Sequence, residues 1–431
     1  MSELQNFIVS QTPPGWETRP LWSLFRRRKS TGHPDEELLS VYRDYGVIPK
    51  SSRDDNHNKE SDDLSGYQLV TEGALVTNKM KAWQGSIAIS RYRGIVSPAY
   101  YVYEPLSDEH DQFLHYLLRS EPYIALYGRI SKGIRVNQWD LEHEALRTVP
   151  VMLPDLKIQK AIADFLDRET SRIDHLIEKK QRLLVLSGER ERNSVIHKFA
   201  LLNERNISWK LSHVCLLRRG RFNHRPRNAP ELYDGKHPFL QTGDVAQAKK
   251  FIRGYKQTLS DQGASISGWF PKGSVLMAIA ANVGDVAISE FGAYCPDSVV
   301  GFVPSKSVDT EFLYYALRAL RPSVATSSTS NAQDNTNIAR LGALRIPLPE
   351  ISIQRRLVEA LDKAERDSHD FVETTNKSIE RLNEFRSALI TAAVTGQIDV
   401  ASWKKRGQAD RSLDDLEEEG RQPAVVALAA G

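Results

Sequence analysis

One helical stretch occurs twice in this chain, and few folds tolerate such a repeat. From 349 to 394, apolar or small residues fall at Leu357, Leu361, Ala364, Ser368, Phe371, Thr375, Ser378, Leu382, Phe385, Leu389 and Ala392. The steps alternate between four and three, which is a coiled-coil seam rather than the broader stripe of a globular helix. After Pro349 no Pro or Gly interrupts it, and either would weaken or break a helix. The other copy opens at Pro154. Shifted by 195 positions, Pro-Asp-Leu-Lys-Ile-Gln-Lys-Ala-Ile-Ala-Asp-Phe-Leu-Asp (154–167) lies over Pro-Glu-Ile-Ser-Ile-Gln-Arg-Arg-Leu-Val-Glu-Ala-Leu-Asp (349–362). Chance is a poor explanation.

The first copy is the weaker helix. Its seam reads Ile162, Leu166, Glu169, Ile173, Leu176, Lys180 and Leu183, then meets a polar run, 187–194, that contains Gly188. Apolar residues return at Val195, Ile196 and Phe199. One long helix with a soft middle is expected; two shorter helices are the alternative.

The regions between the helices are also copies. Trp16 matches Trp209, Gly73-Ala-Leu-Val76 matches Gly273-Ser-Val-Leu276, and Ile87-Ala-Ile-Ser90 matches Val286-Ala-Ile-Ser289. Phe113-Leu-His-Tyr116 and Arg119 lie over Phe312-Leu-Tyr-Tyr315 and Arg318. The chain therefore reads domain, helix, domain, helix: a first mixed α and β domain over 1–153, a helix over 154–203, a second domain over 204–348 and a helix over 349–400. Strands are expected at 38–42 and 85–90 and a short helix at 113–119, with a solvated loop over 50–65. Residues 401–431, with an acidic run at 414–419, are expected to form a disordered tail.

Connectivity fixes how the helices pack. A helix of about 45 residues is ~68 Å long. Parallel packing would oblige the second domain to carry the chain back over that whole length, whereas antiparallel packing lets it cap one end. The expected fold is thus α/β (mixed α+β), two domains on an antiparallel helical spacer, related by a pseudo-two-fold axis.

A chain of 431 residues can hold two or three domains with cores of their own. The net charge of +3 does not by itself announce a nucleic-acid binder, so any such signal is local. The two cysteines, Cys215 and Cys295, suggest a reducing compartment, and neither Cys-x-x-Cys nor His-x-x-x-His spacing supports a zinc site. No apolar run nears the ~20 residues of a membrane span. The N-terminus lacks an apolar signal core, so a cytoplasmic location with no membrane contact is expected.

Searches for catalytic constellations return little. Gly263-x-x-x-x-Gly268 has phosphate-loop spacing, but Trp269 stands where lysine is needed. Pro34-Asp35 and Pro296-Asp297 could open a nuclease carboxylate cluster, yet no Glu-x-Lys follows either nearby. Thr12-Pro13-Pro14-Gly15 lacks the residues an amino-methyltransferase needs around Pro-Pro.

Local charge is more informative. Arg218, Arg219, Arg221, Arg225 and Arg227 crowd into ten residues without an acid, and Arg26, Arg27, Arg28 and Lys29 stand at a similar place in the first domain. A solvated face is the ordinary explanation for one charge run; its recurrence in both copies argues for phosphate contacts. Candidate base readers are Arg43, Lys79, Lys81 and Arg135 in the first domain and Gln241, Asn282 and Gln333 in the second, since such side chains form paired bonds with purine edges. Tyr42, Tyr45 and Trp83 could pack on sugars or bases. Taken singly, each of these is more readily an ordinary surface or core residue than a DNA contact.

The pattern resembles the specificity subunit of type I restriction–modification systems. Pro-x-x-x-x-Gln with its heptads at 154–159 and 349–354 carries the likeness, as does Leu389-Ile-Thr-Ala-Ala-Val-Thr-Gly-Gln-Ile-Asp399. So do Asn78-Lys-Met80, Trp83-Gln-Gly85, Gly94-Ile-Val-Ser-Pro98 and Tyr100. The closing Thr-Gly-Gln-Ile-Asp is absent after the first helix, so the copies differ there. The resemblance covers about residues 13–400. It implies a non-catalytic subunit whose two target-recognition domains each read half of a split double-stranded DNA target. It also implies two S-adenosylmethionine-dependent adenine methyltransferase subunits. The helical pair would offer them a docking surface, with Ile162, Leu166, Ile173, Leu176, Leu357, Leu361, Phe371, Leu382, Phe385 and Leu389 as the coiled-coil and docking positions. A restriction subunit using ATP and Mg would complete the complex, and this chain would hold no cofactor of its own. A solitary DNA-modifying enzyme and a two-headed adaptor for proteins alone are the competing readings.

Overall fold

The computed structural model describes residues 8–10, 12–53, 61–135, 138–223, 228–281, 283–328 and 338–400. The expectation for residues 401–431 lies outside the described residues. The chain divides into two compact units, one of residues 1–181 and 374–431 and one of residues 182–373. Each long helix, Leu156–Arg205 and Ile351–Val394, contributes a segment to both.

In the first unit an antiparallel sheet runs in the order Phe25–Arg27, Tyr100–Pro105, Leu75–Asn78, Ile87–Ile89. Successive strand residues point to opposite faces, and both faces are apolar here. Leu75, Ile87, Ile89 and Tyr103 turn to the helix Asp111–Leu118, meeting Phe113, Leu114, Leu117 and Leu118. Val76, Ala88 and Val102 turn the other way, onto Leu39, Val41, Val47 and Val70. That outer layer is a hairpin, Leu39–Tyr42 with Gly46–Pro49, and a strand pair, Gln68–Val70 with Gly94–Val96.

The second unit repeats the central sheet with Cys215–Arg219, Val299–Pro304, Val275–Ala278 and Val286–Ser289, adding Phe251–Ile252 at the edge. Its inner face, Val275, Met277, Ile288, Val300 and Phe302, packs on Phe312, Leu313 and Leu317. Its outer face carries a second four-stranded sheet, ordered Gln257–Leu259, Tyr233–Phe239, Ala293–Cys295, Gly268–Phe270, which among the described residues has no counterpart of that size in the first unit. The shared core is the same down to its turns. Gly73 and Gly273 both have positive φ, +78° and +81°, and donate N–H to the carbonyls of Ser90 and Ser289.

Strand register corrects one match. Thr18 pairs with Met152, and Ser208 pairs with Pro347. Met152 and Pro347 each stand two residues before the repeated proline, so Trp209 matches Arg19, not Trp16. Trp16 packs edge-on against Phe113 at 6.3 Å, whereas Trp209 lies exposed on its edge strand. By the same register Phe25 faces Pro105 and Cys215 faces Pro304. Arg28 and Lys29 are therefore the counterparts of Arg218 and Arg219, and the basic position still recurs.

The first long helix is continuous through its polar run and Gly188. Ile162, Leu166 and Ile173 are buried and Leu176 is partly buried, in one cluster with Leu382, Leu389 and the half-buried Phe385. In the second unit Leu361 is buried and Leu357 partly buried, with Val195 and Phe199, and Phe371 is half-buried. Leu183 leaves the seam: it is 49% exposed, and Leu184, Ser187 and Glu191 take the inward positions. The reason is the four-residue step after Lys180, which turns Leu183 outward and Glu191 inward. Glu191 is satisfied there by Arg318 at 3.3 Å and the Ser368 hydroxyl at 3.4 Å.

Within each unit the helices run antiparallel. In the first, strand Glu17–Pro20 pairs with Pro150–Leu153 just before one helix, and Trp16 beside it abuts Gly396 just after the other. In the second, Ser208 and Pro347 pair where one helix has ended and the other is about to begin.

One glutamine per repeat joins domain to helix. Gln159 Nε2 donates to Glu109 Oε2 and to the Pro154 carbonyl, at 2.7 and 2.9 Å, while its Oε1 accepts the His110 amide at 2.9 Å. Gln354 Nε2 donates to the carbonyls of Ser307 and Pro349, and its Oε1 accepts the Asp309 amide at 2.8 Å. Both side chains are fully buried, and His110 and Asp309 are the N-caps of equivalent helices. A tyrosine supports each joint: the Tyr116 hydroxyl donates to Asp167 at 2.7 Å and that of Tyr315 to Asp362 at 2.5 Å.

Replacing Gln159 by Ala leaves buried polar groups without partners, an expected local cost of ~1–3 kcal/mol. Amide hydrogen exchange over 108–112 should rise while 275–278 stays protected. Unchanged exchange over 108–112 would contradict the role of this joint.

Candidate nucleic-acid interface

Strand alternation sorts the first basic cluster. Arg26 and Arg28 turn to Glu104, Arg26 at 3.9 Å and Arg28 closer. Arg27 points the other way and sets its guanidinium 4.4 Å from the centroid of the Tyr101 ring. Lys79, in the turn after Leu75–Asn78, brings its Nζ within 4.6 Å of the same ring and donates to the Pro98 carbonyl at 2.7 Å. Burial, with Arg27 and Lys29 adding to it, lowers the Lys79 pKa. Two candidates separated by 52 positions thus meet on one aromatic ring, with Lys29 exposed beside them. Arg26 and Arg28 are partly neutralised by Glu104, so Arg27 and Lys79 carry more of the net positive field.

The hairpin Leu39–Tyr42/Gly46–Pro49 supplies a second group. Its three-residue turn, 43–45, exposes Arg43 and Tyr45. Arg53 lies over both tyrosines of this hairpin, 5.2 Å from the Tyr42 ring and 4.7 Å from the Tyr45 ring. Tyr42 is half-buried with an unpartnered hydroxyl, so its ring supports Arg53 rather than standing open for stacking. The Arg43 stem passes close to Gly85, where a Cβ would lie 3.9 Å from Arg43 Cγ. Gly85 has φ +91° and ends the short turn that carries the exposed Lys81 and the half-buried Trp83. Trp83 packs against Trp139 with centroids 4.8 Å apart. Trp139 sits on the hairpin Lys132–Arg135/Gln138–Asp140, and the Arg135 side chain lies outside the described residues.

The second domain gathers fewer of its candidates. Arg218 is exposed. Arg219 Nε donates to the Asp297 carbonyl at 2.6 Å, pinning a turn, and Arg221 reaches the Ser265 carbonyl at 3.5 Å. Gln241 is exposed at the N-cap of Thr242–Gln247, where its amide donates to Gln257. Among the described residues no hydrogen bond or ring contact joins Gln241 to the arginines. Arg225, Arg227, Asn282 and Gln333 lie outside the described residues.

Sequence reasoning missed Tyr101, Arg53 and Trp139. The run Tyr100-Tyr-Val-Tyr103 did carry a signal, since β-alternation puts Tyr101 on the face opposite Tyr100, but nothing local tells that two cations will settle on it. Elsewhere the chemistry is quiet. Both cysteines are free and buried, and burial pushes the Cys215 thiol up to about 12 and Cys295 higher still, which makes them poor nucleophiles. Among the described residues no group of three His, Cys, Asp or Glu could hold a metal, and no helix is long and apolar enough to cross a membrane.

The type I restriction modification DNA specificity domain matches this chain twice, over residues 13–184 and 209–381, together most of its length. The chain belongs to that family. As a type I specificity protein it is a non-catalytic DNA-specificity component, and its two matched segments are the two repeats described above. Solved structures share the fold at low identity. A chain from a type I R-M system, solved to show complex assembly and conformational transition, is 17% identical with a TM-score of 0.63, covering 90% of this chain and 99% of that one. The HsdS subunit from Thermoanaerobacter tengcongensis is also 17% identical, with a TM-score of 0.51, covering 90% and 98%.

Proposed function

We propose that each recognition domain of this specificity protein reads one half of a split DNA target, and that the paired helices set the gap and carry the modification subunits. The observation that carries this reading is the repeated joint: one sheet core, fixed to its helix by the same buried glutamine, bearing different outer layers. Shared mounts with unlike outer layers suit a two-headed reader.

In the first domain Arg27 and Lys79 neutralise phosphates, and Arg43 and Lys81 face base edges. In the second, Arg218 and Arg221 take the phosphate role and Gln241 a base edge. Phosphate contacts supply affinity and register, and base contacts supply choice. Helices of 50 and 44 residues are ~75 and ~66 Å long, enough to separate two readers. Ile162, Leu166, Ile173, Leu361, Leu382 and Leu389 are spent in the buried seams and leave no surface for docking. The exposed apolar residues Leu183, Val185 and Leu186 of the first helix support docking of methyltransferase subunits instead. Those subunits would bring S-adenosylmethionine, and a restriction subunit would bring ATP and Mg.

Exchanging residues 208–345 for the matching segment of another specificity protein should change one half-site and leave the other intact. Change in both would overturn the modular reading. Inserting one heptad into each helix should widen the gap between half-sites without altering either sequence, as read from methylated-adenine positions; an unchanged gap would refute the ruler. Arg27→Ala and Lys79→Ala should each reduce the slope of log affinity against log salt on duplex DNA by about 0.9. An unchanged slope would remove that residue from the phosphate contacts.

A further inference from the structure

Arg119 and Arg318 hold the same position in the two repeats, yet their partners differ. Arg318 meets the carboxylate of Glu365 and lies 3.3 Å from Glu191. Burial works against its charge, but Tyr314, Glu365 and Glu191 together hold its pKa above the ordinary value. Among the described residues Arg119 has no carboxylate within ion-pair distance. Its Nη1 lies 2.6 Å from His115 Nε2, its Nη2 donates to the Arg43 carbonyl, and its Nε is buried without a partner. Asp44 on the same hairpin turn favours its charge but only partly offsets the burial. A largely desolvated guanidinium without a direct ion pair is costly, and at the same position the second repeat supplies such a pair.

His115 extends the contact inward. Its Nδ1 lies 3.3 Å from the Ile89 carbonyl. An oxygen there requires a donor, so Nδ1 carries the hydrogen and Nε2 is left to accept from Arg119. Burial, together with Arg119, holds the His115 pKa down to about 3, so the imidazole is neutral. Burial, with Arg386 nearby, brings Arg119 down to about 10, which leaves it charged at neutral pH. The result is one line of hydrogen bonds from a buried strand, through imidazole and guanidinium, to the backbone of the hairpin turn. Gly46 closes the fit. It has φ +74°, and a Cβ there would come within 2.8 Å of His115 Cε1.

We propose that Arg119, oriented by His115, is a positioning residue that fixes the Arg43 turn for base reading in the first domain. The inference rests on the proposal that this hairpin faces DNA, and its tests separate the two. Arg119→Lys keeps the charge but loses the two-armed fork, and His115→Phe keeps the ring but loses both bonds. In the full chain, either variant should speed amide hydrogen exchange over 42–47 by about tenfold, with 113–118 and 275–278 unchanged. Unchanged exchange over 42–47 in both variants would overturn the relay. With the modification partner present, methylated-adenine maps of Arg43→Ala and Arg119→Lys should relax the same bases of one half-site and spare the other. Equal loss at both half-sites in Arg119→Lys would make the residue merely structural. An intact target in Arg43→Ala, with exchange still raised in Arg119→Lys, would overturn the DNA-facing role of the hairpin instead.

Discussion

One buried glutamine amide holds each recognition domain to its helix, and the rest of the molecule depends on the pair. Gln159 and Gln354 each use both ends of the amide: the nitrogen satisfies the carbonyl of the repeated proline, and the oxygen takes the amide of a helix N-cap. Inside a protein such a network is rigid when complete and costly when broken. A glutamate could not donate, and an alanine would leave three groups unpaired. The joint explains why the residue five positions after the proline is the same in both copies while most surface residues around it differ.

From that fixed mount the two repeats diverge in an ordered way. The inner sheet faces stay apolar because they pack on the short domain helices. The outer faces stay apolar too, but what covers them is a hairpin and a strand pair in one unit and a four-stranded sheet in the other. The second repeat adds charge to its joint, with Lys250, Glu311 and Asp362 linked beside Arg318, Glu191 and Glu365. The first uses Tyr116, Asp167 and Thr170 there and sends its arginine to the hairpin. Equivalent positions thus take different tasks once the mount is secure.

Much of this was legible in the sequence because it rests on periodicity and on long-range copying. Heptad steps gave the second helix, and matched residues such as Ile87 to Ser90 and Val286 to Ser289 fall at equivalent places in the sheets. Trp16 and Trp209 misled because a shared residue type is weaker evidence than register, and the intervening segment differs in length. Leu183 misled because three- and four-residue steps are equally apolar at that point, while the partner Arg318, far along the chain, selects Glu191 for the seam. The candidate interface was legible as residue types and not as an arrangement. Arg27 and Lys79 share a ring only because strand Leu75–Asn78 pairs with Tyr100–Pro105, a contact that no local pattern announces.

The central claim is that one chain reads two separated half-sites through two domains on one spacer. Its most direct test is a genome-wide map of methylated adenines in cells expressing this chain with a type I modification methyltransferase, against cells lacking the chain. The account predicts a single split motif with a fixed gap, present only with the chain. A continuous motif, or methylation indifferent to the chain, would contradict it.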